Sequence, residues 1–247
     1  NALGIMSGTS MDGIDISLIQ SDGKSQFIPV LNDYFEFDGE LQKILIELRG
    51  KIFSKRDLEK FSSEIQEIER KFTLFNCDVI KKILKKTNSP VDLIGFHGQT
   101  IFHDSDKKIS KQLGDGKLLS QITKRTVVNN FRQEDLINGG EGAPLTPIFH
   151  KLISDFMHKK NKINYPLNII NIGGITNITQ ILNHNVKIDS NLYAYDIGPG
   201  NCLIDEWVRK NSNKQYDENG DIANSGTINQ LILNQAIENF NFKRFDK

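Results

Sequence analysis

Gly4-Ile5-Met6-Ser7-Gly8-Thr9-Ser10-Met11-Asp12-Gly13-Ile14-Asp15-Ile16-Ser17-Leu18 is the most informative segment of the chain. Apolar residues lead into a run of Ser, Gly, Thr and Asp, and alternation resumes at Ile14, Ile16 and Leu18. That pattern predicts a β-hairpin with a small, hydroxyl-rich tip. Gly8 and Gly13 permit close backbone approach, and Ser7, Thr9 and Ser10 add donors beside the turn amides. Such a tip can cradle an anion. Asp12 and Asp15 would repel phosphate unless a cation stands between them. A metal–nucleotide site is one reading of the hairpin, and an ordinary loop is the other.

Working outward, strands are expected at Ala2–Met6, Gly13–Gln20 and Phe27–Phe37, a meander. Leu41, Ile44, Leu45 and Leu48 mark a helix. A longer helix is expected from Ser54, with Asp57 in the place of the capping-box acid. Its stripe is Leu58, Phe61, Ile65, Ile68, Phe72, Phe75, Val79 and Ile83, which reads as a core face without chemistry. Val91–Phe96 is expected to be a buried strand running into His97-Gly98-Gln99-Thr100. Lys117–Lys124 reads as a helix, Thr126–Asn130 as a strand, and Pro144–Lys159 as a helix with Pro144 in its first turn. The lysine-rich stretch Met157–Tyr165 reads as a linker. Leu167–Ile172 and Thr179–Leu182 form a second hairpin around Gly173-Gly174. A strand at Tyr193–Ile197 ends in Gly198-Pro199-Gly200-Asn201, and a helix at Cys202–Lys210 follows. Both halves therefore open on a strand–glycine turn–strand unit, with a boundary at Asn161–Pro166.

Composition bounds the partners. Lys+Arg and Asp+Glu both number 31 among 247 residues, so net charge gives no reason to expect nucleic acid or an anionic membrane surface. Two distant cysteines, Cys77 and Cys202, fit a reduced cytoplasm better than a disulfide framework. No apolar run has the length of a membrane span. No signal peptide is legible in a sequence that begins at Asn1.

Four further segments carry candidate chemistry. His97 stands at a strand end, where α/β proteins place ligands, although a satisfied structural histidine explains it equally. His103, His150, His158 and His184 lack metal-type spacing, so no zinc site is expected. Phe131-Arg132-Gln133-Glu134-Asp135 follows another strand and leads into Asn138-Gly139-Gly140-Glu141-Gly142-Ala143-Pro144. An acid there can act as a general base or simply cap a turn. Asn171-Ile172-Gly173-Gly174 and Asp196-Ile197-Gly198-Pro199-Gly200-Asn201 suit phosphate contact. The latter also has the acid–glycine turn of S-adenosylmethionine-dependent methyltransferases, a short match late in the chain.

Taken in order, Gly-x-Met-Ser-Gly-Thr-Ser-x-Asp-Gly-x-Asp at 4–15, His-Gly-Gln-Thr at 97–100, Phe-Arg-x-x-Asp at 131–135 and Gly-Gly-x-Gly-Ala-Pro-Leu at 139–145 form a series. Asn-Ile-Gly-Gly-Ile-x-Asn-Ile-Thr at 171–179 and Asp-x-Gly-Pro-Gly-Asn at 196–201 complete it. The series resembles the anhydro-N-acetylmuramic acid kinase family over almost the whole chain. The resemblance implies an α/β, two-lobed actin-like ATPase (ribonuclease H-like) fold with mixed sheets. It implies a first, sugar-side lobe at 1–160, and at 166–247 the start of a nucleotide-side lobe that is incomplete here. It implies an ATP- and Mg2+-dependent enzyme of peptidoglycan recycling that opens a 1,6-anhydro-sugar with water and phosphorylates the freed O6. Its partners would be the sugar and ATP, its place the cytoplasm, and a homodimer the assembly admitted.

By the same resemblance, Asp135 is the general base. Gly8, Thr9, Ser10, Met11, Asp12, Gly13, Ile14 and Asp15 form the first ATP-phosphate hairpin, and Asn171, Gly173 and Gly174 belong to the second. His97, Gln99, Arg132, Gly142, Ala143 and Pro144 fall in sugar-lobe motifs, and Asp196, Gly198, Gly200 and Asn201 line the cleft. The chain departs from the family at Glu141, where Gln is usual, and at Glu134, where a basic residue is common. It also stops short of the family's length near Asn239–Lys247. A non-catalytic actin-like nucleotide-binding protein is the alternative outside enzymology, and it would have no use for a base at Asp135.

Overall fold

The computed structural model describes residues 1–183 and 192–239. Contacts divide the chain into two compact units, Asn1–Gly198 and Pro199–Lys247.

The first unit begins with the meander: β1 (Ala2–Ser7), β2 (Gly13–Ser21) and β3 (Phe27–Glu36), paired antiparallel in sequence order. Ile14, Ile16 and Leu18 alternate inward along β2 and are essentially buried. Met11, at the expected tip, has φ +57° and is only 3% exposed, so the tip folds back on the core. Helix α1 (Gly39–Arg49) starts at Asp38, whose carboxylate accepts from the Leu41 amide at 2.8 Å.

The long helix read from one stripe is two helices. α2 (Lys55–Lys60) and α3 (Ser62–Lys86) are separated by Phe61, whose φ −100°, ψ +19° breaks the α-helical path. The capping box with Asp is present: Asp57 N–H donates to Ser54 Oγ, and the Asp57 carboxylate accepts from the Phe53 amide. The stripe continues across the break. Ile65, Ile68, Phe72, Val79 and Ile83 are buried, and Phe72 stacks on Phe96 with ring centroids 6.1 Å apart.

Strand β4 (Leu93–Asp104) is longer than its apolar run predicts. Leu93–Phe96 lies parallel to β1 on one side and to β6 (Thr126–Asn129) on the other. Gln99–Asp104 pairs antiparallel with β5 (Ile109–Leu113). β5 has no sequence forecast, because Ser110, Lys111 and Gln112 hide its periodicity. The sheet order is β3-β2-β1-β4-β5, with β6 beside the first half of β4. The helix read at Lys117–Lys124 is α4 (Gly116–Thr123). The principal core lies between this sheet and α1, α3 and α4.

Helix α5 (Phe131–Ile137) follows β6, and α6 (Pro147–Lys159) follows a loop. Pro147, not Pro144, opens α6; the Ala143–Pro144 peptide is cis and lies in the loop. The second sheet has the order β7 (Leu167–Ile172), β8 (Ile175–Ile181), β9 (Leu192–Pro199). The boundary read at Asn161–Pro166 separates the two sheets, both of which belong to the first unit. The mixed α/β architecture with a mixed main sheet and a second, smaller one agrees with the expected fold class.

The second unit carries α7 (Cys202–Asn211), a 3-10 turn (Glu218–Gly220), α8 (Asp221–Ser225) and α9 (Gln230–Asn239). His184 and residues 240–247 lie outside the described residues. Among those described, no helix is long and apolar enough to cross a membrane.

Candidate functional site

The site begins where β4 changes partners. β6 stops at Asn129 opposite Phe96, and Asn130, at φ +65°, turns the chain into α5. Gly98 has φ +77°, and a Cβ there would stand 2.2 Å from the Leu113 carbonyl oxygen, so only glycine lets β4 bend to meet β5. His97 therefore lies inside a continuous strand, at its bend, rather than at a strand end.

α5 brings Arg132 and Asp135 to one face at an i, i+3 spacing. Arg132 Nε donates to His97 Nε2 at 2.9 Å. An arginine Nε is only a donor, so His97 Nε2 is unprotonated and its proton sits on Nδ1, facing the Gly98 carbonyl at 2.7 Å. Burial, then the Arg132 charge, pushes the imidazole down to about 4. His97 is thus a neutral, oriented group at neutral pH. Burial also lowers Arg132, with Asp196 acting in the opposite direction.

Arg132 Nη1 donates to the Gly142 carbonyl at 2.7 Å, and the Gly142 amide donates to Asp135 Oδ2, also at 2.7 Å. One turn of α5 therefore holds both ends of Gly142. A Cβ on Gly140 would lie 2.0 Å from Asp135 Oδ2, so the glycine-rich loop is what allows the chain to close on this carboxylate. Asp135 lines an open cavity of about 600 Å3 with His97, Phe131, Glu134, Asn138 and Leu145. The arrangement leaves a carboxylate with one oxygen held by a backbone donor beside a neutral imidazole, a geometry suited to accepting a proton from a bound nucleophile.

The first hairpin tip is braced from β4. Ser7 Oγ donates to Gln99 Oε1 and faces the Gly13 carbonyl at 3.0 Å, and Gln99 Nε2 donates to the Gly8 carbonyl at 2.9 Å. Gln99, placed by resemblance in a sugar-lobe motif, is fully buried and shares its amide with this tip. A Cβ on Gly8 would meet only Ser10 Oγ at 3.5 Å, whereas one on Gly13 would strike the Phe35 carbonyl oxygen at 2.4 Å. Ser10 Oγ donates to Asp12 Oδ1 at 2.7 Å. Burial, then Asp12, raises Asp15 above the ordinary carboxylate range. Thr9 stands exposed at the tip, and Ile14 is core.

Asn171 lies in β7 opposite Asn177, and Gly173 and Gly174 form the β7–β8 turn, where the Gly173 amide donates to the Ile175 carbonyl at 3.3 Å. Asp196 on β9 interacts electrostatically with His103, Arg132 and Glu141, and burial is the largest influence raising its carboxyl. It therefore belongs with the Arg132 cluster. Gly198 ends the first unit, while Gly200 and Asn201 precede α7 in the second. Ala143 and Pro144 are half-buried in the loop after Gly142.

Sequence reasoning weighed His103 only as a metal ligand. The structure places its ring against Gly142: a Cβ there would be 2.9 Å from His103 Cε1. Its partner Ser110 was missed as well, because β5 was not legible, and Gln133, which holds the Ser110 amide, was given no role. Among the described residues, no group of three His, Cys, Asp or Glu side chains is placed to hold a metal ion by itself.

Comparison with known proteins bears on what this geometry serves. A family model for anhydro-N-acetylmuramic acid kinase matches residues 1–245. The chain is 52% identical over 239 residues to the anhydro-N-acetylmuramic acid kinase of Pelagibacter ubique (strain HTCC1062), covering 97% of this chain and 62% of that protein. It is 36% identical over 240 residues to the enzyme of that name from Agrobacterium fabrum (strain C58 / ATCC 33970), covering 96% and 62%. For the one from Zymomonas mobilis the figures are 38% identity over 238 residues, 94% and 62%. The chain thus spans about three fifths of the length of the curated relatives it matches. These matches favour neither the methyltransferase nor the non-catalytic alternative. With every motif in order along nearly its full length, the chain belongs to the anhydro-N-acetylmuramic acid kinase family.

Proposed function

We propose that the protein to which this chain belongs opens a 1,6-anhydro-N-acetylmuramic acid with water and phosphorylates its O6 from ATP, as a cytoplasmic step of peptidoglycan recycling. The observation that carries this reading is Asp135, held through Oδ2 by the Gly142 amide on the wall of the 600 Å3 cavity. In this reading Asp135 takes one proton from water as the water oxygen bonds the anomeric carbon. The bond from that carbon to O6 breaks, O6 bonds the γ-phosphorus, and ADP leaves. His97 and Arg132 shape the sugar side of the cavity from residues 1–160.

The first hairpin is assigned to the ATP phosphates. A Cβ on Gly8 would have only Ser10 Oγ within 4 Å, and the Ser7–Gln99 brace fixes the tip through the Gly8 and Gly13 carbonyls. Asp12 and Asp15 fit Mg2+. It commonly takes one or two protein carboxylates plus substrate phosphates, and a cation would relieve the repulsion that helps raise Asp15. Bound there, Mg2+ would neutralise phosphate charge. Asn171, Gly173 and Gly174 are assigned to the second phosphate hairpin, in a nucleotide-side lobe that begins at 166. Asp196, Gly198, Gly200 and Asn201 are assigned to the cleft. The open apolar surface of the second sheet is taken as the place where the additional length of the curated relatives packs.

The test is Asp135→Asn in the complete gene product, assayed with ATP and the anhydro-sugar. Turnover should fall by roughly 10²–10⁴, with ATP affinity and folding retained. Near wild-type turnover would remove Asp135 from the mechanism.

A further inference from the structure

We infer that His103 is a positioning residue for Asp135, acting through the Glu141–Gly142 peptide. The inference rests on the reading of Asp135 as the base. Gly142 is buried, with φ +72°, and is enclosed on three sides: its Cβ position would be 2.9 Å from His103 Cε1, 2.9 Å from Leu136 Cγ and 3.1 Å from the Arg132 carbonyl oxygen. Arg132 fixes its carbonyl and Asp135 its amide. His103 is the wall contributed by β4, and its ring also meets the main chain of Glu141.

His103 is itself anchored. Its Nδ1 faces Ser110 Oγ at 3.0 Å, while Gln112 Nε2 donates to the same hydroxyl oxygen at 2.7 Å. The Ser110 amide donates to Gln133 Oε1 at 3.0 Å, which ties β5 to α5. With Ser110 supplying a hydroxyl proton to Nδ1, the imidazole proton is left on Nε2, directed at the Glu141 carbonyl. His97 and His103 are thus neutral imidazoles of opposite tautomer, one held by Arg132 and the other by Ser110. Charged groups around His103 are Arg132, Asp104, Glu141 and Asp196, and burial is the largest influence lowering its proton affinity.

The consequence is geometric. Without the ring, Gly142 faces open space on one side, and its peptide can rotate away from Asp135. The carboxylate then loses the donor that orients its other oxygen toward the cavity. Small displacements of a reacting group cost large factors in rate.

The experiment uses the complete gene product. His103→Ala should lower kcat about tenfold, with KM for ATP unchanged. His103→Gln, which keeps a donor near the Nε2 position, should stay within about threefold of wild type. Nitrogen-15 imidazole NMR on the unaltered protein should show His103 protonated on Nε2 and His97 on Nδ1. Wild-type kcat in His103→Ala overturns the inference. So does a tenfold loss in His103→Gln, or a proton on His103 Nδ1 at neutral pH. The last two stand even where His103→Ala fails to fold. Asp135→Asn run alongside separates the two readings: full turnover there defeats the base assignment, whereas the His103 outcomes bear on positioning alone.

Discussion

At the tip of the first hairpin Met11 is 3% exposed, and Ser7 and Gln99 are buried beneath it; at the second, Ile172 and Ile175 stand 63% and 50% exposed. Both are antiparallel pairs joined by a glycine-containing turn. Local sequence made them alike, and what lies behind them makes them differ. β1 is flanked by β2 and β4 and puts Leu3 and Ile5 into the principal core, whereas β7 has β8 on one side and presents Ile170 and Ile172 to solvent. A hairpin motif thus specifies a turn, while its rigidity comes from residues far away in sequence, here Gln99 some ninety positions on.

The largest expected contrast comes from truncating one apolar side chain packed behind the first sheet and one on the second. Phe72 is fully buried, stacked on Phe96 and in edge contact with Phe37. Phe72→Ala in this chain should cost about 3–5 kcal/mol. Ile172→Ala should change stability by no more than about 0.5 kcal/mol, since its side chain is already largely in water. Urea unfolding of the two variants measures both. Equal losses would mean that the second sheet is as well supported as the first.

Acid should separate the regions next. An unfolded histidine takes up a proton near pH 6.5, whereas folded His97 resists until about 4. Between those values the unfolded chain binds more protons, so stability is complete above 6.5 and falls as the pH drops toward 4. The slope has a ceiling of about 1.4 kcal/mol per pH unit for one proton. His150, which joins α6 to β8 through Thr179 Oγ1 at 2.8 Å, is also lowered by burial. His97→Gln should flatten the acid limb of a stability–pH series more than His150→Gln does. The reverse order would place the acid-sensitive support in the second sheet.

Much of this was legible in the sequence wherever periodicity was long. The meander, the stripe from Leu58 to Ile83 and the capping box at Ser54 and Asp57 all follow from spacing. What escaped was short or depended on distant partners. α5 has seven residues, too few for a helical period to show, and its entry through a positive-φ Asn130 has no apolar signal. β5 reaches the core only through Leu113 and Ile109, while Ser110, Lys111 and Gln112 between them hydrogen-bond to His103, Glu69 and Thr100, so no apolar alternation shows. Asp135 was singled out by its resemblance to a family motif, but its grip on Gly142 was not visible, since the amide that holds it lies seven residues on across a loop. Pro144 has the residue type favoured in a first helical turn, but that turn begins at Pro147, three residues on.

The finest distinction lies in the two turns themselves. A Cβ on Gly8 would meet Ser10 Oγ at 3.5 Å, and one on Gly173 the Ile175 carbonyl oxygen at 3.8 Å. Both contacts are ordinary, so valine at either position should leave folding stability within about 0.5 kcal/mol. Any effect then reports on what approaches from outside the chain. The first tip is tied by Ser7 and Gln99 and cannot withdraw from an added side chain, so Gly8→Val should weaken ATP binding about tenfold, close to 1.4 kcal/mol. The second tip, beside which Ile172 and Ile175 stand in solvent, has less packed behind it and can yield, so Gly173→Val should cost about threefold or less. Calorimetric titration of ATP into the complete gene product and both variants decides the ranking. Unchanged affinity in Gly8→Val would show the first hairpin to be structural only. A larger loss in Gly173→Val would show that bracing behind a turn does not govern how well it tolerates a side chain at the ligand.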